Sequence, residues 1–286
     1  MIPDGSGHLS LHEAADLLGV HYMTIYRRVR LGILPARKLG GTWLVAPADL
    51  ERTTTTPERG RRHRGGSHPR VSIWQERLQA RMLGGDAAGS WQVIEAAMAS
   101  GLEPGEIYVR VLAPSLHAVG ASWRSGGIAV EQEHLASSVA ATLIGRLGPR
   151  FVHPGRRKGV VIVAMPPGER HGLGVAMLAD ILTDAGYGVL NLGPDTPTAS
   201  LAAAMHDAGR LAAVVVSVVD IARRPAAGRL LAAARRERPS VPRLVGGHAV
   251  PDEGVAFGLG ADGWVADPRG LGDLIERLQE RARSTG

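Results

Sequence analysis

Gly168-Glu169-Arg170-His171-Gly172-Leu173-Gly174 is the stretch whose reading decides the fold. It follows the apolar run Val160-Val161-Ile162-Val163-Ala164-Met165 and precedes an amphipathic segment, Val175 to Ala185. An apolar strand, a glycine-rich loop and a helix in that order are expected to open a doubly wound sheet, which binds ligands at the carboxyl ends of its strands. A dinucleotide binder would place Gly-x-Gly-x-x-Gly here, so that backbone can approach a pyrophosphate. This loop instead offers a carboxylate two residues before an imidazole. A carboxylate beside a histidine orients it and raises its basicity, as around a metal ligand. The loop therefore points to a domain that grips a metal-bearing cofactor.

Downstream, the pattern alternates strand and helix. Val160–Met165, Gly188–Leu192, Ala213–Val219, Arg243–Val245 and Gly263–Ala266 read as five strands, and a last helix runs from Leu271 to Arg283. That alternation argues an open parallel sheet. Upstream, residues 70–148 read as four helices, Val71–Leu83, Ala87–Ser100, Pro104–Val119 and Val130–Leu147, with glycine-containing breaks. Short connections between similar helices suggest an antiparallel bundle. From Thr53 to Pro69 four threonines give way to Arg59, Arg61, Arg62, His63 and Arg64 among glycines, which reads as a basic flexible linker.

Residues 8–52 read as a small helical domain. Ser10 can cap a helix with apolar Ala14, Ala15, Leu17 and Leu18, and Thr24 to Leu31 reads as a second helix ending at Gly32. A hairpin turning at Gly40-Gly41 follows, and Ala48-Asp49-Leu50 begins another helical turn. The charge is concentrated here. Residues 1–70 hold 11 Lys or Arg against 6 Asp or Glu; the remaining 216 hold 22 against 21. A localised excess of this kind is the electrostatic footprint of nucleic-acid binding. The chain has no cysteine, so any transition metal must be held by histidine, by carboxylates or within its own macrocycle. No apolar stretch approaches the length of a membrane span, and the amino terminus lacks a signal peptide's apolar core, so a cytoplasmic location is expected.

Leu9-Ser10-Leu11-His12-Glu13-Ala14-Ala15-Asp16-Leu17-Leu18-Gly19-Val20 and Thr24-Ile25-Tyr26-Arg27-Arg28, with Gly40-Gly41-Thr42-Trp43 in a wing, resemble the helix-turn-helix of the MerR and excisionase-like families. The resemblance implies a double-stranded DNA operator. Thr24, Tyr26, Arg27 and Arg28 would project toward a groove, and Arg37 and Lys38 would meet phosphates. The 169–174 loop, with Ser217-Val218-Val219 and Gly246-Gly247, resembles the cobalamin-binding domain shared by methionine synthase and B12-dependent mutases, with Glu169 where that family has Asp. The resemblance implies His171 as the lower cobalt ligand, oriented by Glu169. It also implies a pocket formed by Gly172, Gly174, Ser217, Val219, Gly246 and Gly247.

Trp123 through His134 contains Trp-x9-Glu-His, a spacing that resembles the bundle of CarH/LitR-type photoreceptor transcriptional regulators. Those proteins bind adenosylcobalamin. By that resemblance Trp123 is an aromatic wall over the upper face, Glu133 and His134 are polar partners, and Val130 closes the same pocket. The implied architecture is multidomain, α and α/β. A winged helix-turn-helix spans 1–52, the linker 53–69, a four-helix bundle 70–152 and a Rossmann-like cobalamin-binding domain 158–286. The implied function is a light-responsive DNA-binding regulator, a repressor and not an enzyme. It would bind DNA as a homo-oligomer, dimer or tetramer, that cobalt–carbon photolysis takes apart. One position departs from that family, which has His directly after the Trp to capture cobalt from above after light. Here it is Arg124, whose guanidinium cannot ligate. His134 or a water is the expected upper ligand after photolysis. Two alternatives stay open: a regulator that senses cobalamin supply without photochemistry, and a corrinoid methyl carrier.

Overall fold

A computed structural model describes residues 8–17, 25, 29, 34–39, 42–47, 49 and 69–284. The chain divides into two compact units, Met1–His68 and Pro69–Gly286.

In the first unit, β1 (Leu9–Ser10) leads directly into a helix, Leu11–Leu17. Ser10 and Glu13 form a reciprocal capping box. The Glu13 N–H donates to Ser10 Oγ at 3.3 Å and the Ser10 N–H to Glu13 Oε2 at 2.8 Å. β2 (Arg37–Leu39) and β3 (Thr42–Val45) pair antiparallel with Leu39 opposite Thr42, and β1 adds to the free side of β3. Leu11, Ala14, Ala15, Ile25, Val29, Leu34 and Val45 make the core. Leu17, expected on the apolar face, is exposed instead.

The second unit begins at Pro69, which opens the helix Pro69–Leu83 rather than ending a linker. Proline suits a first turn, where its missing N–H has no partner to lose. The helices Ala87–Ala99 and Val130–Leu147 fall close to the expected bounds. The third helix does not. Pro104–Glu106 passes into a π-helical stretch, Ile107–Leu112, and then into Ala113–Arg124, one turn beyond the expected end. Pro114 explains the change of winding. Its nitrogen cannot donate to the carbonyl of Arg110, four residues back, and its ring crowds that oxygen. The Gln75 amide takes the freed Arg110 oxygen at 2.6 Å, and the Ala113 N–H reaches back five residues to Tyr108.

β4 (Val160–Ala164), β5 (Gly188–Gly193), β6 (Leu211–Ser217) and β7 (Arg243–Gly246) form a parallel sheet of order β5-β4-β6-β7. Ile162 and Ala164 on one face and Val161 and Val163 on the other are all fully buried. Burial on both faces is why these strands read as unbroken apolar runs. The fifth strand, expected at Gly263–Ala266, reduces to one bridge from Gly263 to Leu244. Asp262 holds Arg243 through both backbone and guanidinium, fixing that contact. Beyond it the Trp264 indole N–H donates to the Val250 carbonyl at 3.2 Å.

Bundle and sheet are joined through one shared helix. Met177 and Ile181, from the helix Gly172–Asp184 that follows β4, belong to the bundle's apolar core. The Tyr108 hydroxyl, buried against Phe151 with ring centroids 4.9 Å apart, donates to Asp180 at 2.6 Å across the same boundary.

Candidate cofactor site

The loop after β4 is built around a buried carboxylate. Glu169 has no exposed side-chain surface, yet its two oxygens take five N–H donors. Oε1 accepts from the backbone of Arg170 (3.0 Å) and His171 (3.3 Å) and, in a very short contact, from His171 Nδ1. Oε2 accepts from the backbone of Val219 and Asp220, each at 2.8 Å, in the loop after β6. Burial alone would raise the Glu169 pKa. The Asp220 N–H, the His171 ring and the Val219 and His171 N–H groups outweigh it and bring it down to about 2. Glu169 is therefore ionised, and it ties two strand-end loops together.

An ionised carboxylate only accepts, so His171 Nδ1 must carry the proton it shares. In the neutral ring this leaves the lone pair on Nε2, in a side chain 63% exposed at the N-terminus of the helix Gly172–Asp184. An imidazole locked on one nitrogen and open on the other fits a metal held from above. The surrounding loop is tied down independently. Asp195, in a left-handed conformation at φ 53°, accepts the Gly168 N–H at 2.7 Å and donates its own N–H to the Glu169 carbonyl.

The other strand-end residues gather beside this loop. Ser217 ends β6, is nearly buried and pairs with Gly246 at the end of β7. A Cβ on Gly246 would meet nothing within 4 Å, leaving that backbone open to a ligand. Gly247 is required by the fold itself. It sits at φ 101°, and a Cβ there would lie 2.4 Å from the Val218 carbonyl oxygen. Gly172 is close to Pro194, whereas Gly174 faces open space.

On the bundle, Trp123 lies in the last turn of Ala113–Arg124 and is 46% exposed, and Val130 opens the next helix at 50% exposed. Glu133 accepts the Ser137 hydroxyl at 2.6 Å, and His134, 74% exposed, stands 3.8 Å from the same carboxylate. Arg124 is exposed. Two histidines that no sequence pattern singles out bring bundle and sheet together. The rings of His117 and of His248, the residue after Gly247, are 5.5 Å apart. Burial, then His248, then Arg124 hold the His117 pKa below its ordinary value. The backbone donors of Asp220 are equally unmarked in sequence. The adjacency of His248 to Gly246-Gly247 is the available signal for the histidine pair.

Of the proposed DNA contacts, Arg37 and Lys38 lie exposed on β2, with the Lys38 ammonium 6.0 Å from the Trp43 ring centre. Thr24, Tyr26, Arg27 and Arg28 lie outside the described residues.

Three family models match the chain: a helix-turn-helix domain over residues 9–53 and two B12 binding domains over 74–147 and 159–268. A curated relative, the HTH-type transcriptional repressor CarH of Myxococcus xanthus, is 32% identical over 140 residues. The match spans 49% of this chain and 46% of that protein, so less than half of the relative's length is represented. Among solved structures, the Methanosarcina barkeri monomethylamine corrinoid protein superposes with a TM-score of 0.57 at 19% identity. It covers 75% of this chain and 99% of its own, a likeness of fold. The chain is thus similar over part of its length to a helix-turn-helix repressor, and it carries a helix-turn-helix domain followed by two B12 binding domains.

Proposed function

We propose that the chain is a DNA-binding transcriptional regulator whose ligand is adenosylcobalamin and whose signal is light. The observation that carries the ligand reading is the buried, ionised Glu169 holding His171 by Nδ1 and leaving Nε2 exposed at the strand ends. In this reading, residues 1–52 bind the operator and 53–69 link. Residues 70–152 cap the cofactor, and 158–286 hold it. Thr24, Tyr26, Arg27, Arg28, Arg37 and Lys38 contact DNA.

When bound, adenosylcobalamin would supply a cobalt able to take an imidazole ligand and a cobalt–carbon bond sensitive to light. The chain's own residues do the rest. His171 presents Nε2, while Gly172, Gly174, Ser217, Val219, Gly246 and Gly247 shape the pocket beside it. Trp123 and Val130 offer apolar surface, and Glu133 and His134 polar surface, toward the upper group. Bundle and sheet meet through Met177 and Ile181 in the bundle core, Tyr108 on Asp180 and His117 beside His248, so a changed fit at the cap would act on this boundary. Oligomer dissociation would then weaken DNA binding by removing tethered copies.

Arg124 favours a second reading, a sensor of cobalamin supply that light does not reset, because a guanidinium has no lone pair to offer a metal. One experiment separates the two. The protein is loaded with adenosylcobalamin in darkness, and absorbance, size-exclusion elution and operator binding are followed across a green-light exposure. The light reading expects a spectral change with a fall in size and loss of DNA binding. A ligand-dependent oligomer indifferent to light supports the supply sensor, and a chain that binds no cobalamin ends both.

A further inference from the structure

At the end of the sheet opposite the cofactor loop, cations from three separate parts of the chain converge. Arg156, Arg157 and Lys158 precede β4, Arg210 precedes β6, and Arg283 lies in the last turn of the final helix, Leu271–Ser284. Together with Glu276 and Glu280 they line a concavity of about 460 Å³. Five cations against two carboxylates leave it at +3, whereas the rest of residues 71–286 holds 17 Lys or Arg against 19 Asp or Glu. Lys158 is held by Glu276 at 2.7 Å. The four arginines are exposed and make no ion pair or side-chain hydrogen bond among the described residues. Free guanidinium forks clustered on a concave surface match the oxygens of consecutive phosphodiesters, which they can bind two at a time.

We propose that this groove is a second DNA contact, binding backbone phosphates without reading sequence. It rests on the DNA-binding reading above, since a duplex held by the helix-turn-helix supplies phosphates at high local concentration. Because the groove lies at the amino ends of β4 and β6, DNA seated there leaves the His171 loop free. Each cation that meets a phosphate releases counterions and adds about 0.9 to the slope of log K against log salt.

The test uses the full-length, cofactor-loaded protein in darkness and a fluorescent operator duplex, with affinity measured across a salt series. In Arg156→Gln/Arg157→Gln the slope should shallow by roughly 1 to 2, and affinity at 0.1 M salt should fall by roughly eightfold for each phosphate no longer neutralised. Arg156→Lys/Arg157→Lys should retain most of the slope, and the relative affinities for operator and scrambled duplex should be unchanged. An unchanged slope in the Gln variant, with wild-type binding intact, overturns the second contact while leaving the DNA-binding reading standing. Absence of DNA binding by the wild type overturns both. Capture of phosphatidylserine vesicles through the same arginines, with the DNA slope unmoved, would reassign the groove and overturn the proposal.

Discussion

Glu169→Gln keeps the size of a side chain but replaces one accepting oxygen with an amide that only donates. Every neighbour of that carboxylate is itself a donor: the N–H groups of Arg170, His171, Val219 and Asp220 and the His171 ring. The substitution therefore leaves buried donors facing a donor, at a cost of roughly 1–3 kcal/mol each where no rearrangement relieves it. It also frees His171 to rotate, which should weaken cobalamin binding about 10–100-fold, readable by spectral titration. An affinity within twofold of wild type would show that His171 needs no such orientation. The same carboxylate sets an acid limit. Its folded pKa, about 2, lies below the ordinary 4.5. Its stabilising contribution is thus full above about pH 4.5 and is lost as pH falls through about 2. Urea midpoints at pH 5 and pH 3 should differ less in Glu169→Gln than in wild type.

The π-helical stretch shows how an irregularity set within an element is satisfied by a side chain elsewhere. Pro114 frees the Arg110 carbonyl, and Gln75, on another helix, satisfies it at 2.6 Å. Ser115 further joins the two helices through its hydroxyl, 2.8 Å from the Val111 carbonyl and 3.2 Å from that of Gln75. Gln75→Ala should lower stability by about 1 kcal/mol in urea unfolding, whereas Gln75→Glu, which keeps the length but offers no donor, should be no better than Ala. Equal stability of Gln75→Ala and wild type would mean that water serves the carbonyl as well. Sequence could place a helix over Pro104–Val119 and the proline within it, but not the partner 35 positions away that satisfies the freed carbonyl. The sheet was legible because strands buried on both faces are written as apolar runs, Val160 to Ala164 most plainly. Gly263 to Ala266 has a strand's composition, yet its pairing is confined to one bridge from Gly263 to Leu244. At the candidate site, His171 and Glu169 stood out as side chains in an unusual loop. The Val219 and Asp220 amides that complete the clamp are backbone, which any residue supplies, so no letter marked their contribution.

At the scale of the whole molecule, the two units have separate interiors. Leu11, Ala14, Ala15, Ile25, Val29, Leu34 and Val45 close one core, and the bundle and sheet of Pro69–Gly286 close the others. All residues assigned to the cofactor, from Trp123 to Gly247, lie in the second unit. A ligand stabilises only what it binds in the folded state, by RT ln(1 + [L]/Kd), or about 4 kcal/mol at a thousandfold excess over Kd. For a unit of this size that amounts to a rise in melting temperature of roughly 10 °C. Calorimetry in darkness should therefore resolve two transitions. Adenosylcobalamin should raise the larger one and leave the smaller, belonging to the helix-turn-helix unit, in place. His171→Ala should abolish most of the rise, because the remaining contacts lack the cobalt bond. Upward movement of both transitions together would mean that the cofactor state reaches the DNA-binding unit through direct contact within the protein. Movement of the larger alone leaves oligomer assembly and disassembly as the route by which the cofactor state reaches DNA.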